Sequence, residues 1–220
     1  MKIAPYIDHT SLKANVTIDQ ISTLCREALK HQFAAVCINP TWVEYCRLVL
    51  GYTKIKICSV VGFPLGATLP SIKALEAARA FELGASEIDM VINIGALKDG
   101  DLWRIENEIK AVRQAVPQAV LKIIIETCLL NRAEKTIACS IAQNAGADFV
   151  KTSTGFSTSG ATIEDVALLR GLVGPNMGVK AAGGIKDFKT AKAMIEAGAN
   201  RLGCSAGVAI VEEEKQSRVH

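Results

Sequence analysis

Several signatures that would assign these 220 residues to a common functional class are missing. Net charge is only +3 with no basic block, which excludes the electrostatic footprint of a nucleic-acid binder. The most apolar stretch, Val120–Leu130, is broken by Lys122 and Glu126 and cannot span a bilayer. Asp8 and His9 interrupt the first apolar residues before a signal-peptide core can form. Of three histidines, His9, His31 and His220, no two are close enough in sequence to make a ligand pair. The seven cysteines contain no C-x-x-C, so no metal is expected. G-x-G-x-x-G and G-x-x-x-x-G-K-[ST] are absent, leaving no support for a dinucleotide site or a P-loop. Cys37, Cys58, Cys139 and Cys204 stand in apolar or helical contexts and read as reduced core thiols, the usage of a cytoplasmic protein. No linker or composition shift divides residues 1–220, so one domain is expected.

What the chain does contain is a repeating beat. Short apolar runs recur at PYIDHT (5–10), AAVCINP (34–40), KICSVVGFP (56–64) and SEIDMVINIG (86–95). They continue at VLKIIIET (120–127), ADFVKTSTG (147–155), GVKAAGG (178–184) and ANRLGCSAG (199–207). Bounded by Gly, Pro, Asn or Thr, these read as eight buried strands. Helical patterns lie between them. Thr17 to Gln20 is a capping-box sequence and Asn131 to Glu134 a looser one. ELGASEID, NAGADFV and EAGANRL share a glycine exit from helix to strand. Eight βα units in a chain of this length predict an α/β fold, a single-domain (β/α)8 barrel, whose chemistry sits where strands end and βα loops begin.

At that address stand two lysines. Lys151 ends the apolar run ADFVK and Lys180 sits in GVKAAGG on the next predicted strand. Either could snorkel to solvent alone. Together, two charges about 5 Å apart at an effective dielectric of about 20 repel by roughly 3 kcal/mol, or roughly two pKa units. One amine then becomes a neutral nucleophile towards carbonyls, which is Schiff-base chemistry. Asp89, alone among Ile, Met and Val, reads as a salt-bridge partner, a proton relay, or both. Gly183-Gly184 and Gly203–Gly207, in the last two loops, form the expected anion cradle, with Lys186 as a nearby cation.

IDHTSL, AAVCINP, SEIDMVINIG, ADFVKTSTGF and VKAAGGIK, in this order along a resemblance that runs from Ile7 to about Ala209, resemble the deoxyribose-phosphate aldolase family of class I aldolases. The resemblance implies reversible cleavage of 2-deoxy-D-ribose 5-phosphate to acetaldehyde and D-glyceraldehyde 3-phosphate, a step of deoxyribose phosphate catabolism, without metal or organic cofactor. Lys151 would form the imine, Lys180 would lower its pKa and share protons, and Asp89 would relay them. Asp8 and Thr10 would lie near the sugar hydroxyls, and Cys37 would line the pocket. Thr152, Gly155, Gly183, Gly184, Lys186, Gly203 and Ser205 complete the expected substrate contacts. Partners are then small phosphosugars and aldehydes, with a homo-oligomer, dimer or tetramer, expected. Two departures stand out. Phe156 replaces a lysine that some members carry after TSTG, and the chain ends EKQSRVH where some members end in a tyrosine. A phosphosugar isomerase or epimerase, or a non-catalytic phosphometabolite-binding barrel, remains open on the same fold.

Overall fold

The computed structural model describes residues 2–217. Eight parallel strands close into a barrel in sequence order: β1 (Ile7–Ser11), β2 (Ala35–Ile38), β3 (Lys56–Val61), β4 (Glu87–Val91), β5 (Val120–Ile124), β6 (Phe149–Lys151), β7 (Gly178–Ala182) and β8 (Arg201–Cys204). β1 pairs with β8 through Ile7–Leu202, Asp8–Gly203 and His9–Cys204, which completes the expected (β/α)8 closure. Around it run α1 (Ile18–His31), α2 (Val43–Leu50), α3 (Pro70–Leu83), α4 (Ile94–Lys98), α5 (Leu102–Ala115), α6 (Arg132–Asn144), α7 (Ile163–Val173), α8 (Phe188–Glu196) and α9 (Gly207–Gln216). None is long and apolar enough to cross a membrane.

Local chemistry sets the boundaries. Both predicted capping boxes form, at Thr17–Gln20 and Asn131–Glu134, each satisfying two amide donors that the first helical turn would orphan. Gly84, Gly146 and Gly198 at the three similar helix exits all have φ between 81° and 118°, a region closed to most side chains. The strands are shorter than their apolar runs, and two of the stops have a clear cause. β4 stops at Val91 because Asn93 caps α4, its side chain accepting from the Ala96 amide. β6 stops at Lys151, and the TSTG that follows is loop.

Outward strand residues such as Ile88, Met90, Leu121, Ile123, Val179 and Leu202 pack under the helices in the main core. The barrel interior is divided. On the β2–β3 side, Ala35, Cys37, Cys58 and Val60 form a small apolar cluster with Leu12. On the other side the inward positions carry charge.

Candidate active site

Six strands contribute the charges: Asp8 from β1, Glu87 and Asp89 from β4, Lys122 from β5, Lys151 from β6, Lys180 from β7 and Arg201 from β8. The period of two along a strand brings Glu87 and Asp89 to one face. Register then sets Asp89 against Lys122, Lys151 against Lys180, and Lys180 against Arg201.

Contact by contact, six of the seven close a ring. Arg201 donates to Asp8 Oδ1, and its Nη2 reaches Glu87 Oε1 at 2.6 Å. Glu87 Oε2 lies 2.6 Å from Lys122 Nζ, and Lys122 donates to Asp89 Oδ1 at 2.9 Å. Asp89 Oδ2 accepts from Lys180 at 2.7 Å, and Lys180 Nζ lies 2.5 Å from Asp8 Oδ2. The Lys180–Asp8 and Lys122–Glu87 contacts lack hydrogen-bond angles and hold by charge. Three carboxylates alternate with three cations, so the ring is neutral. Lys151 is the surplus cation. It donates to Asp89 Oδ2 at 2.7 Å, sharing that oxygen with Lys180, and makes no second carboxylate contact among the described residues.

Burial alone would neutralise these groups, but mutual charge prevails. Asp89 is fully buried, yet Lys122, Lys151 and Lys180 hold its carboxyl well below the ordinary value. Asp8 is lowered against burial by Lys180, Lys122 and Arg201. Lys180, likewise buried, is held well above the ordinary lysine value by Asp8 and Asp89. Lys122 is raised against burial by Asp89, Cys58 and Glu87. The sequence arithmetic of two bare amines therefore needs correction. Asp89 stands between Lys151 and Lys180, and Lys180 is a fixed cation with two counter-ions.

Lys151 alone of the ring and its appendage lines the barrel-mouth cavity, a space of about 760 Å³. Thr10, Gly155, Gly183, Gly184, Lys186, Gly203 and Ser205 line it too, as expected. Asp8 does not reach it, being committed to Lys180 and Arg201. Thr152 does not either: its hydroxyl donates to the Ala182 carbonyl and accepts from the Ala182 amide, tying β6 to β7. Cys37 is buried in the apolar half of the barrel, not on the cavity wall. Its Cys58 neighbour lowers its pKa to about 7, with burial opposing and Lys180 assisting. Phe156 stands at the rim, 51% exposed, edge-on to Phe63 with ring centroids 5.3 Å apart. The cavity runs on to the start of α9, whose N-cap Ala206 supplies no side-chain acceptor, whereas α8 is capped by Asp187. Uncapped amides beside Ser205 suit an anion. His220 and the last tail residues lie outside the described residues.

Sequence reasoning missed Lys122, Glu87 and Arg201. Lys122 was legible only as an interruption of an apolar run, and the signal that locates all three is inward parity with Asp89 and Lys180. Glu126, too, was legible as an interruption of that run, but not for its function in the loop. It is buried at φ 53°, accepts from the Thr154 amide and hydroxyl, and so fixes the loop after Lys151. Two groups of ligand-type atoms, Cys37–Cys58–Asp89 and Asp8–Cys58–Glu87, each lie within 4.8 Å of one another. Every carboxylate among them is already engaged by lysine or arginine.

The sequence profile of the DeoC/LacD family aldolases matches residues 2–213. The chain is 56% identical over 217 residues to a deoxyribose-phosphate aldolase of Streptococcus gordonii, covering 99% of each. It is 57% identical over 212 residues to one from Exiguobacterium, covering 96% of each. Among solved structures it resembles a putative deoxyribose-phosphate aldolase from Coccidioides immitis at TM-score 0.95 and 42% identity, covering 97% of this chain and 86% of that one. A deoxyribose phosphate aldolase from Aeropyrum pernix, described as a unique tetramer, matches at TM-score 0.90 and 33% identity, covering 98% and 92%.

Proposed function

The chain belongs to the DeoC/LacD aldolase family, and from that premise we propose that Lys151 forms an imine with the open-chain form of 2-deoxy-D-ribose 5-phosphate. The enzyme is a lyase with deoxyribose-phosphate aldolase activity. The observation that carries the imine assignment is that Lys151 is both the surplus cation of an otherwise neutral ring and its sole cavity-facing amine. Loss of its proton leaves the remaining ring charges balanced, and the free amine is the form that adds to a carbonyl.

The amine adds to the aldehyde carbon, and water leaves to give the protonated imine. That nitrogen withdraws electrons as the bond between C2 and C3 breaks. The C3 hydroxyl proton leaves, D-glyceraldehyde 3-phosphate departs, and an enamine remains. Protonation at C2 and hydrolysis release acetaldehyde and the free amine. Asp89, within 2.7 Å of both Lys151 and Lys180, exchanges protons with the nitrogen and with water. Lys180 keeps Asp89 ionised. The phosphate end rests against Gly183, Gly184, Ser205 and the start of α9, with Lys186 supplying charge. The whole chain acts as one barrel unit, assembled as a homo-oligomer in the cytoplasm, on small-molecule substrates and without metal or organic cofactor.

An isomerase or epimerase would need a carboxylate that reaches a substrate carbon, and Asp89 does not line the cavity, whereas Lys151 does. A mere phosphometabolite binder leaves the buried charges without a use. The test is incubation with acetaldehyde in heavy water without an acceptor. Deuterium should enter the methyl group through the enamine, and no exchange would exclude this chemistry.

A further inference from the structure

The ring has a far edge. Arg201 and Glu87 bond to each other and to Asp8 and Lys122, but to neither Lys151 nor Asp89, and neither lines the cavity. Register places Arg201 two strands from Lys151, roughly 10 Å away. By position they touch no reacting atom. By charge they complete the neutrality that makes Lys151 the surplus cation.

We propose that Arg201 and Glu87 are positioning residues of opposite sign that set the pH at which Lys151 becomes nucleophilic, by fixing the net charge of the ring beneath it. This rests on the imine reading of Lys151. The charged and titratable groups that face into the barrel with them are Asp8, Cys37, Cys58, Asp89, Lys122, Lys151 and Lys180, and Lys151 shares the cavity wall with His9, Lys13, Asp19, Glu27, Lys186 and Cys204, all of which the variants leave in place. Of these, Asp8 and Asp89 are held ionised, and Lys122 and Lys180 are held charged. Cys37 titrates near 7, and replacing it by alanine in every variant keeps it from contributing to the profile.

Removing Glu87's charge leaves the ring with a net positive charge, which repels the Lys151 ammonium. Removing Arg201's leaves it negative, which retains the ammonium. One unit charge at roughly 10 Å and an effective dielectric of about 20 corresponds to a shift of about one pH unit. The acid limb of the kcat/KM–pH profile should therefore move down by about one unit in Glu87→Gln and up by about one unit in Arg201→Gln. The double variant Glu87→Gln/Arg201→Gln restores neutrality and should return the limb to the parent position. A merely structural role predicts lower rates in all three with the limb unmoved, and that outcome overturns the proposal. Shifts of the same sign in the two single variants overturn it as well.

A buried charge left unpaired can unfold a single variant. The charge-conserving variants Glu87→Asp and Arg201→Lys then carry the test. Their limbs should stay within about 0.3 unit of the parent even where kcat falls, and a larger displacement overturns the proposal. Reduction by borohydride with acetaldehyde separates the two levels of the account. If the label leaves Lys151 in the parent enzyme, the imine reading fails. If it stays there and the limbs do not move apart, only the ring inference fails.

Discussion

Lys73 and Lys180 are both fully buried lysines, and their surroundings treat them in opposite ways. Lys73, on α3, donates to Glu108 of α5 at 2.7 Å and to the Val91 carbonyl at 2.8 Å, while Glu108 also accepts from the Asn93 amide. Burial prevails there: Lys73 is lowered and Glu108 raised, each towards its neutral form, despite mutual attraction. At Lys180 and Asp89 charge prevails. The difference is the number of counter-ions. A lone pair in a dry layer recovers only part of its desolvation cost, whereas each ring member has at least two opposite charges in contact. The isolated pair ties the loop after β4 to the helical layer. The ring leaves one amine over, facing a cavity.

Removing one carboxylate from each place separates the two functions most widely. Asp89→Asn should lower kcat by about 10²–10⁴-fold, because the proton-exchanging group is gone, and cost about 3–5 kcal/mol in a urea melt. Glu108→Gln should show a similar stability loss at most, with kcat within about threefold for the folded fraction. Equal loss of kcat in both would erase the distinction. Lys73→Met/Glu108→Leu sharpens it further. Replacing both members of an isolated pair by apolar groups is neutral or stabilising by about 1–4 kcal/mol, less the cost of the Asn93 amide left without an acceptor.

The pH dependence of stability follows from the same contrast. Asp8 and Asp89 have lowered folded pKa values, so their contribution is present above the unfolded carboxyl range, about 3.9, and is lost as pH falls through the folded values. Lys122 and Lys180 are raised, so theirs is present below about 10.4 and lost as pH rises through the folded values. Glu108 runs the other way, losing stability as pH rises through its own window. Acid melts should thus be shallower in Asp8→Asn than in wild type, and no shallower in the Lys73/Glu108 double variant.

Gly203 probes the space the ring needs. A Cβ there would stand 3.2 Å from Lys180 Cε and 3.0 Å from Ala182 Cβ, on the path Lys180 takes past β8 to Asp8. Gly203→Ala should cost about 1–3 kcal/mol and lower kcat by roughly tenfold. The smallest effect is expected at the rim. Phe156→Lys should tighten the phosphorylated sugar by about tenfold and leave plain deoxyribose unimproved, read from the two KM values. No gain for the phosphorylated sugar would mean that position 156 does not face the phosphate.

The barrel was legible because eight apolar runs, two capping boxes and three glycine exits are local signals, each set by its own few residues. The amines at 151 and 180 were legible because a lysine closing or interrupting a buried run contradicts its neighbours. The rest of the ring was not, because Lys122, Glu87 and Arg201 acquire meaning only when barrel closure and register bring strands β4, β5, β8 and β1 together. Thr152 and Cys37 illustrate the reverse error. Their positions flank the site, but the Thr152 hydroxyl is tied to the β7 backbone, and Cys37 lies in the apolar half of the barrel interior, off the cavity wall.

Reductive trapping tests the central claim most directly, that Lys151 is the amine the ring leaves free to react. Borohydride with acetaldehyde, followed by digestion and peptide mass mapping, should add about 28 Da, one ethyl group, to the peptide carrying Lys151, with Lys122 and Lys180 unmodified. A label on Lys180, or activity that survives borohydride in the presence of aldehyde, would contradict it.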